Sequence, residues 1–263
     1  MDIPDTLAIN DCRRWQRACR LHTLDRRRIV MPRVSGPGFL TLVRGGLLVY
    51  TLTVWIASVA YDAAHGDMSG HFAYFTYLSH TGLLVYFASS FICTAYFWSE
   101  QRHLFSRLPR TLQLLHWLLF ESAVVFAVTV MLVFWIALYN PDNYTTTAHR
   151  WITISVHAAN VMCILLELMA GAMKFSPHWT HPLVLVVIIG LYLALAYMNR
   201  AINGWFTYDF LDYDKHTGPI ILGIVLGIGS GMVIAYYIVY CAQLLLERLL
   251  PPRCNTAKSI NSF

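Results

Sequence analysis

This sequence is poor in charge. Of its 263 residues only 13% are Asp, Glu, Lys or Arg, about half the share found in a soluble domain. So few charges cannot coat a water-soluble fold of this size. Cysteine is sparse as well. Cys12, Cys19, Cys93, Cys163, Cys241 and Cys254 form no CxxC pair, which argues against a disulfide framework or a zinc site. There is no G-x-S-x-G elbow, no H-E-x-x-H and no glycine-rich phosphate loop. Conventional serine hydrolases, intramembrane zinc proteases and nucleotide-driven pumps are thereby disfavoured. No metal or cofactor is implied, and no long-period repeat or low-complexity tract is present.

What is present is apolar length. Hydrophobic residues make up 57% of the chain, and the mean hydropathy is +0.52. A membrane-spanning helix needs roughly 20 mostly apolar residues to cross about 30 Å of hydrocarbon. Six stretches qualify, at about 39–61, 72–98, 112–138, 151–172, 183–199 and 219–244. They are continuously apolar rather than alternating, so helices are expected and a β-barrel is not. The expected fold is all-α, an integral bundle of six transmembrane helices over residues 39–245. A basic arm (1–38) precedes it and a short tail (246–263) follows. Arg44 lies in the first stretch, where its side chain is expected to snorkel to the headgroups.

Lys and Arg sort to one side. The arm carries Arg13, Arg14, Arg17, Arg20, Arg26, Arg27, Arg28 and Arg33, and the same side adds Arg102, Arg107, Arg110, Lys174, Arg248, Arg253 and Lys258. The opposite loops hold Arg150, Arg200 and Lys215 against Asp62, Asp67, Asp142, Asp209, Asp212 and Asp214. The positive-inside rule therefore places both termini in the cytosol. The arm is read as a topology determinant resting on anionic lipid, not as a nucleic-acid binder. It has no continuous apolar core, so no cleavable leader is expected. Either the endoplasmic reticulum or the plasma membrane fits this topology. Cys12 and Cys19 are candidates for palmitoylation, and Asn143-Tyr144-Thr145 is a glycosylation sequon on the outer side.

Pro177 and Pro182 are expected to mark a tight turn between the fourth and fifth spans. Gly223, Gly227 and Gly231 recur every fourth residue of the last span and make one smooth stripe. It is read first as a helix-packing surface within the chain, with a homodimer face as the other reading.

Polar residues inside spans are the default functional candidates, because each is costly there. Thr76 and His80 lie in the second span, Glu121 in the third, and His157, Asn160 and Glu167 in the fourth. The carboxylates are read first as buried groups bonded to partner helices. Thr76 and His157 are matched in depth: entering from the outer side, they sit roughly 6 and 9 Å in at 1.5 Å per residue. A threonine hydroxyl is a poor nucleophile until a base takes its proton, and a neutral imidazole is suited to that.

Three stretches resemble the androgen-induced-gene family, which includes the androgen-dependent regulator of tissue factor pathway inhibitor. They are Phe72-Ala-Tyr-Phe-Thr76-Tyr-Leu, then Phe134-Trp-Ile-Ala-Leu-Tyr139 followed by Trp151, Ser155-Val-His157 and Glu167, then Asn203-Gly-Trp-Phe-Thr-Tyr208-Asp-Phe-Leu211-Asp. Order and spacing match over roughly residues 70–245. The rolling-stone proteins share a looser form of the pattern. The resemblance implies six spans and threonine-dependent hydrolysis of fatty acid esters of hydroxy fatty acids. It places the nucleophile on Thr76 and the essential histidine on His157. Asn160, Asn203 and Tyr208 are candidate oxyanion or substrate contacts. The arginine-rich arm, Asp209 in place of the motif's proline and Tyr-Phe before Thr76 depart from the pattern and bear on substrate range. Two other classes compete: a non-enzymatic membrane scaffold, and a proton or small-solute transporter built on His80, Glu121, His157 and Glu167.

Overall fold

The computed structural model describes residues 25–144 and 146–253. Cys12, Cys19, Cys254, Lys258, Arg13, Arg14, Arg17, Arg20 and the sequon's Thr145 lie outside the described residues. Six helices are long and apolar enough to cross a membrane: α1 (Pro37–His65), α2 (Phe75–Glu100), α3 (Arg110–Leu138), α4 (Thr147–Ala170), α5 (Thr180–Asn203) and α6 (Gly218–Leu249). No strand occurs among the described residues.

Local signals set the ends. Pro37 and Pro219 stand in first turns, where the missing N–H costs nothing. Gly66 (φ 76°) and Gly204 (φ 80°) close α1 and α5 in the left-handed conformation, which glycine adopts without strain. The fifth helix is longer than its apolar run, at 24 residues. Pro182 is accommodated in its first turn, while Asn203 donates to Asn199 and Arg200 to the Gly204 carbonyl in its last.

Helices α1, α2 and α3 pack in sequence, α4 joins them through α1 and α3, and α6 links α3 to α5. In the most apolar window of each helix, 56% of α3 residues are buried and only 11% of α6 residues. The bundle is thus built around α3, with α6 as an outer wall. Tyr86, Phe87, Phe120, Val124, Val125 and Tyr236 form the centre of the core.

The two described chain ends lie together. Arg253 N–H donates to the Pro32 carbonyl at 2.8 Å, and Arg33 N–H donates to Ala170 at the same distance. Arg28 pairs with Glu247, and Ile29 and Val30 are buried. The end of the arm is therefore docked on the bundle, with Arg28 and Arg33 engaged by protein rather than left for lipid.

Three expectations are corrected. Arg44 does not snorkel: it is fully buried and bonds Glu167 through Nη2 at 2.6 Å, with further donation to Thr94 and the Ile29 carbonyl. Leading its guanidinium away would strand Glu167 uncompensated in a low-dielectric core. The link between α4 and α5 is not a tight turn but an extended segment laid into the bundle. Gln243 binds Phe175 N–H and the Met173 carbonyl, and Trp117 Nε1 donates to Lys174 at 2.8 Å. The glycine stripe of α6 does not pack within the chain, since a Cβ added at Gly223, Gly227 or Gly231 meets nothing within 4 Å.

Candidate functional site

Away from the paired chain ends, Thr76 occupies the second residue of α2. It is 8% exposed. His157 approaches it from α4, with Nε2 3.3 Å from the Thr76 hydroxyl oxygen. The imidazole's other nitrogen, Nδ1, lies 2.8 Å from the Thr153 carbonyl. A carbonyl can only accept, so Nδ1 carries the proton and Nε2 presents a lone pair to Thr76. The contact fixes the tautomer a general base requires.

Backbone irregularity sets this geometry. α4 contains a π-helical turn at Ser155–Ala159, and α3 ends in another at Phe134–Leu138. Such turns insert a residue into the helical ladder and recur at functional sites. Phe134 stacks on His157, with ring centroids 3.5 Å apart and planes 18° from parallel. Tyr50 of α1 donates to the Ser155 hydroxyl at 3.0 Å. Together they hold the ring against rotation.

Asn160 does not reach the pair. Its Nδ2 donates to the Val156 carbonyl at 2.8 Å, inside the π-turn, and its Oδ1 faces His80 Nδ1 at 3.0 Å. His80 Nε2 faces the Thr51 carbonyl at 3.1 Å. Asn160 and His80 therefore tie the turn carrying His157 to the helix carrying Thr76. Asn203 is exposed and bonded to Asn199. Tyr208 folds back over the site. Its Oη accepts the Phe75 N–H at 3.2 Å, which leaves its own proton free to donate. Burial pushes the Tyr208 phenol up from its ordinary range, against contacts with Tyr192, Phe75 and Thr76.

Beside Thr76 lies a cavity, part of it open to the surroundings. Phe134 and Val130 of α3, Tyr192 and Gly190 of α5 and Val225 of α6 contribute walls, and Tyr208, Phe210 and Leu211 form the roof. Its lining is almost wholly apolar.

The family model for FAR-17a/AIG1-like proteins matches residues 40–243. The chain belongs to this family. No curated protein and no solved structure matches it. The match covers all of the site elements, from Tyr50 through Tyr208 to Val225.

Residue types alone did not reveal Phe134 as the stacking partner, or Tyr192, whose hydroxyl donates to the Ala73 carbonyl at 2.9 Å and steadies the entry to α2. Thr153 was legible in principle: it lies four residues before His157, the spacing at which a side chain reaches back to a helix carbonyl. The cavity had no such signal, because its walls read as ordinary apolar helix.

The two buried carboxylates of the other half are each held by several donors. Glu167 accepts from Arg44 and, at 2.8 Å, from the Tyr86 hydroxyl. Glu121 accepts from Ser176 N–H, the Tyr236 hydroxyl and His181 Nδ1.

Proposed function

We propose that this family member is an intramembrane threonine/histidine hydrolase of lipid esters, with fatty acid esters of hydroxy fatty acids as the substrate class. The observation that carries this reading is the 3.3 Å approach of a tautomer-fixed His157 Nε2 to the Thr76 hydroxyl. The apolar cavity beside the pair supports a lipid substrate.

In the first half-reaction the Thr76 oxygen bonds to the ester's acyl carbon as its proton passes to His157 Nε2. The tetrahedral oxyanion accepts a hydrogen bond from the Tyr208 hydroxyl, alongside first-turn N–H groups of α2 other than that of Phe75, which have no helical acceptor. The acyl carbon–alkoxy oxygen bond then breaks, and imidazolium protonates the departing hydroxy acid. In the second half, water attacks the acyl-threonine and gives a proton to His157. The carbon–threonine bond breaks, the threonine oxygen regains that proton, and the free fatty acid leaves.

We read both termini as cytosolic and the site as lying beneath the outer face, in endoplasmic reticulum or plasma membrane, a reading supported by the sorting of Lys and Arg in the sequence to one side of the spans. The transporter reading has less support, since Glu121 and Glu167 are committed to fixed donors.

Thr76→Ala and His157→Ala, each purified in detergent, test the reading through fluorophosphonate labelling and ester hydrolysis. Each is expected to lose roughly 100- to 10,000-fold in kcat/KM while expressing and melting as the parent does. Parental turnover in either variant overturns the mechanism.

A further inference from the structure

The cavity has more to say than that it is apolar. Its walls come from α3, α5 and α6, and it reaches Thr76 at the mouth of α2. On α3 the lining runs from Leu138 past Phe134 to Thr129. Phe134 stacks on His157 and so marks the level of the reactive pair. Thr129 is five residues further into the membrane, about 7.5 Å at helical rise. The space beneath the pair is thus only a turn and a half deep. That is about a quarter of the roughly 30 Å hydrocarbon thickness, too short for a long acyl chain to lie wholly inside.

The wall has a gap where the chain would have to go. Gly190 of α5 lines the cavity, is itself exposed, and a Cβ built there meets nothing within 4 Å. Ile189 and Leu193 flank it on the same helix and are partly exposed, as are Val225 and Ile228 of α6. Helix α5 packs chiefly on α6 and makes only sparse contact with α2 and α3, so this side of the cavity is bounded by side chains rather than by a tight helix–helix seam.

Resting on the hydrolase reading, we propose that the cavity is an acyl-chain slot with a lateral exit at Gly190. The first carbons of the acyl group occupy the pocket above Thr129. The rest of the chain passes Gly190 into the surrounding lipid. Chains long enough to leave are then accepted without an upper limit, and the residue at 190 sets how much chain is admitted. The substrate class is a long-chain ester that stays dissolved in the bilayer while its carbonyl meets Thr76.

Full-length protein in nanodiscs, assayed with p-nitrophenyl butyrate, octanoate and palmitate, tests this. The parent is expected to show kcat/KM rising to octanoate and level from there to palmitate. Gly190→Phe should lower the palmitate-to-butyrate ratio by roughly tenfold or more, the worth of about two methylenes shut out of the slot. Thr129→Phe, which fills the floor from the opposite wall, should lower the same ratio and serves should the first variant fail to assemble. Gly223→Phe, on the part of α6 away from the cavity, should leave it unchanged. A parental ratio in both Gly190→Phe and Thr129→Phe, or a parent that falls off sharply beyond octanoate, overturns the proposal.

A second readout needs no turnover. Diazirine-tagged palmitic acid should crosslink to peptides around 189–193 and 225–228 in the parent, and that label should drop at least fivefold in Gly190→Phe. Labelling without ester hydrolysis in the parent would sink the hydrolase reading and leave the slot standing. Hydrolysis with no label at these peptides would do the reverse.

Discussion

At the end of the bundle where the described chain ends meet, each buried carboxylate is held by three donors. Arg44 Nε, Arg44 Nη2 and Tyr86 serve Glu167, and Ser176 N–H, Tyr236 and His181 serve Glu121. At the other end, Thr76 and His157 meet across 3.3 Å beside an apolar cavity, with the imidazole lone pair aimed at a hydroxyl. Both ends bury polar groups, but in the first each carboxylate is committed to fixed donors, and in the second the groups retain capacity for a reacting molecule. Saturated polarity builds the bundle; unsaturated polarity beside empty space is where chemistry is possible.

The largest expected effect lies on the saturated side. Arg44→Ala leaves the Glu167 carboxylate uncompensated, and Glu167→Ala does the same to the Arg44 guanidinium. Each should cost about 3–5 kcal/mol of stability, measured as thermal unfolding in detergent or as loss of folded yield. The double replacement by apolar residues of similar volume should recover much of it. Should single variants melt like the parent, the pair is not structural and the contrast between the two ends collapses.

On the reactive side, Tyr208→Phe removes the proposed oxyanion donor and should lower kcat by about 100- to 1,000-fold with folding intact. Its pH behaviour sharpens the point. Burial raises the phenol's folded pKa, so the neutral form is favoured in the native state. The stability this gives is fully present below the unfolded value near 10 and is lost as pH rises through the folded one. The parent should therefore lose thermal stability more steeply above pH 10 than Tyr208→Phe does. A parental kcat in the variant removes Tyr208 from the mechanism.

Asn160→Leu tests whether the π-turn needs its tether. It cuts the link between His80 and the Val156 carbonyl without touching either reactive group. A shift of about 1 Å in a catalytic group can cost on the order of 100-fold. The loss should fall on kcat with KM little changed, because the cavity is untouched. An equal effect on the two would point to a substrate contact instead, the candidate role named for Asn160 from the sequence.

Much of this was legible from the residues. Continuous apolar runs and the scarcity of charge gave the six helices, since only helices and closed barrels satisfy backbone polarity across lipid and a barrel's strands would alternate. Matched depth paired Thr76 with His157, because depth along a helix is counted directly from the sequence. Rotation about the helix axis is not. Asn160, three residues from His157, faces His80 because the π-turn rotates it. Arg44 faces inward because Glu167 on another helix awaits it. The setting of Asn203 was hidden for a related reason: Gly204 ends α5 at that point and leaves the side chain beside Asn199. A cavity is harder still to foresee, being set by how closely α5 approaches α3.

The smallest effect concerns the stripe on α6, the least enclosed helix. Gly223, Gly227 and Gly231 meet nothing in the chain where a Cβ would be. If lipid alone covers them, replacing all three by Ala removes a helix-propensity cost of up to about 1 kcal/mol each. The triple variant should then melt at or slightly above the parental temperature and hydrolyse at the parental rate. If a second copy packs there, close backbone approach is what the glycines provide. Three methyl groups would then push the copies apart, and crosslinked dimer would fall at matched protein density in the bilayer. Either result bears on the contrast between the two ends. A dimer through α6 would cover a wall next to the cavity and give the reactive half a partner that the saturated half does not need.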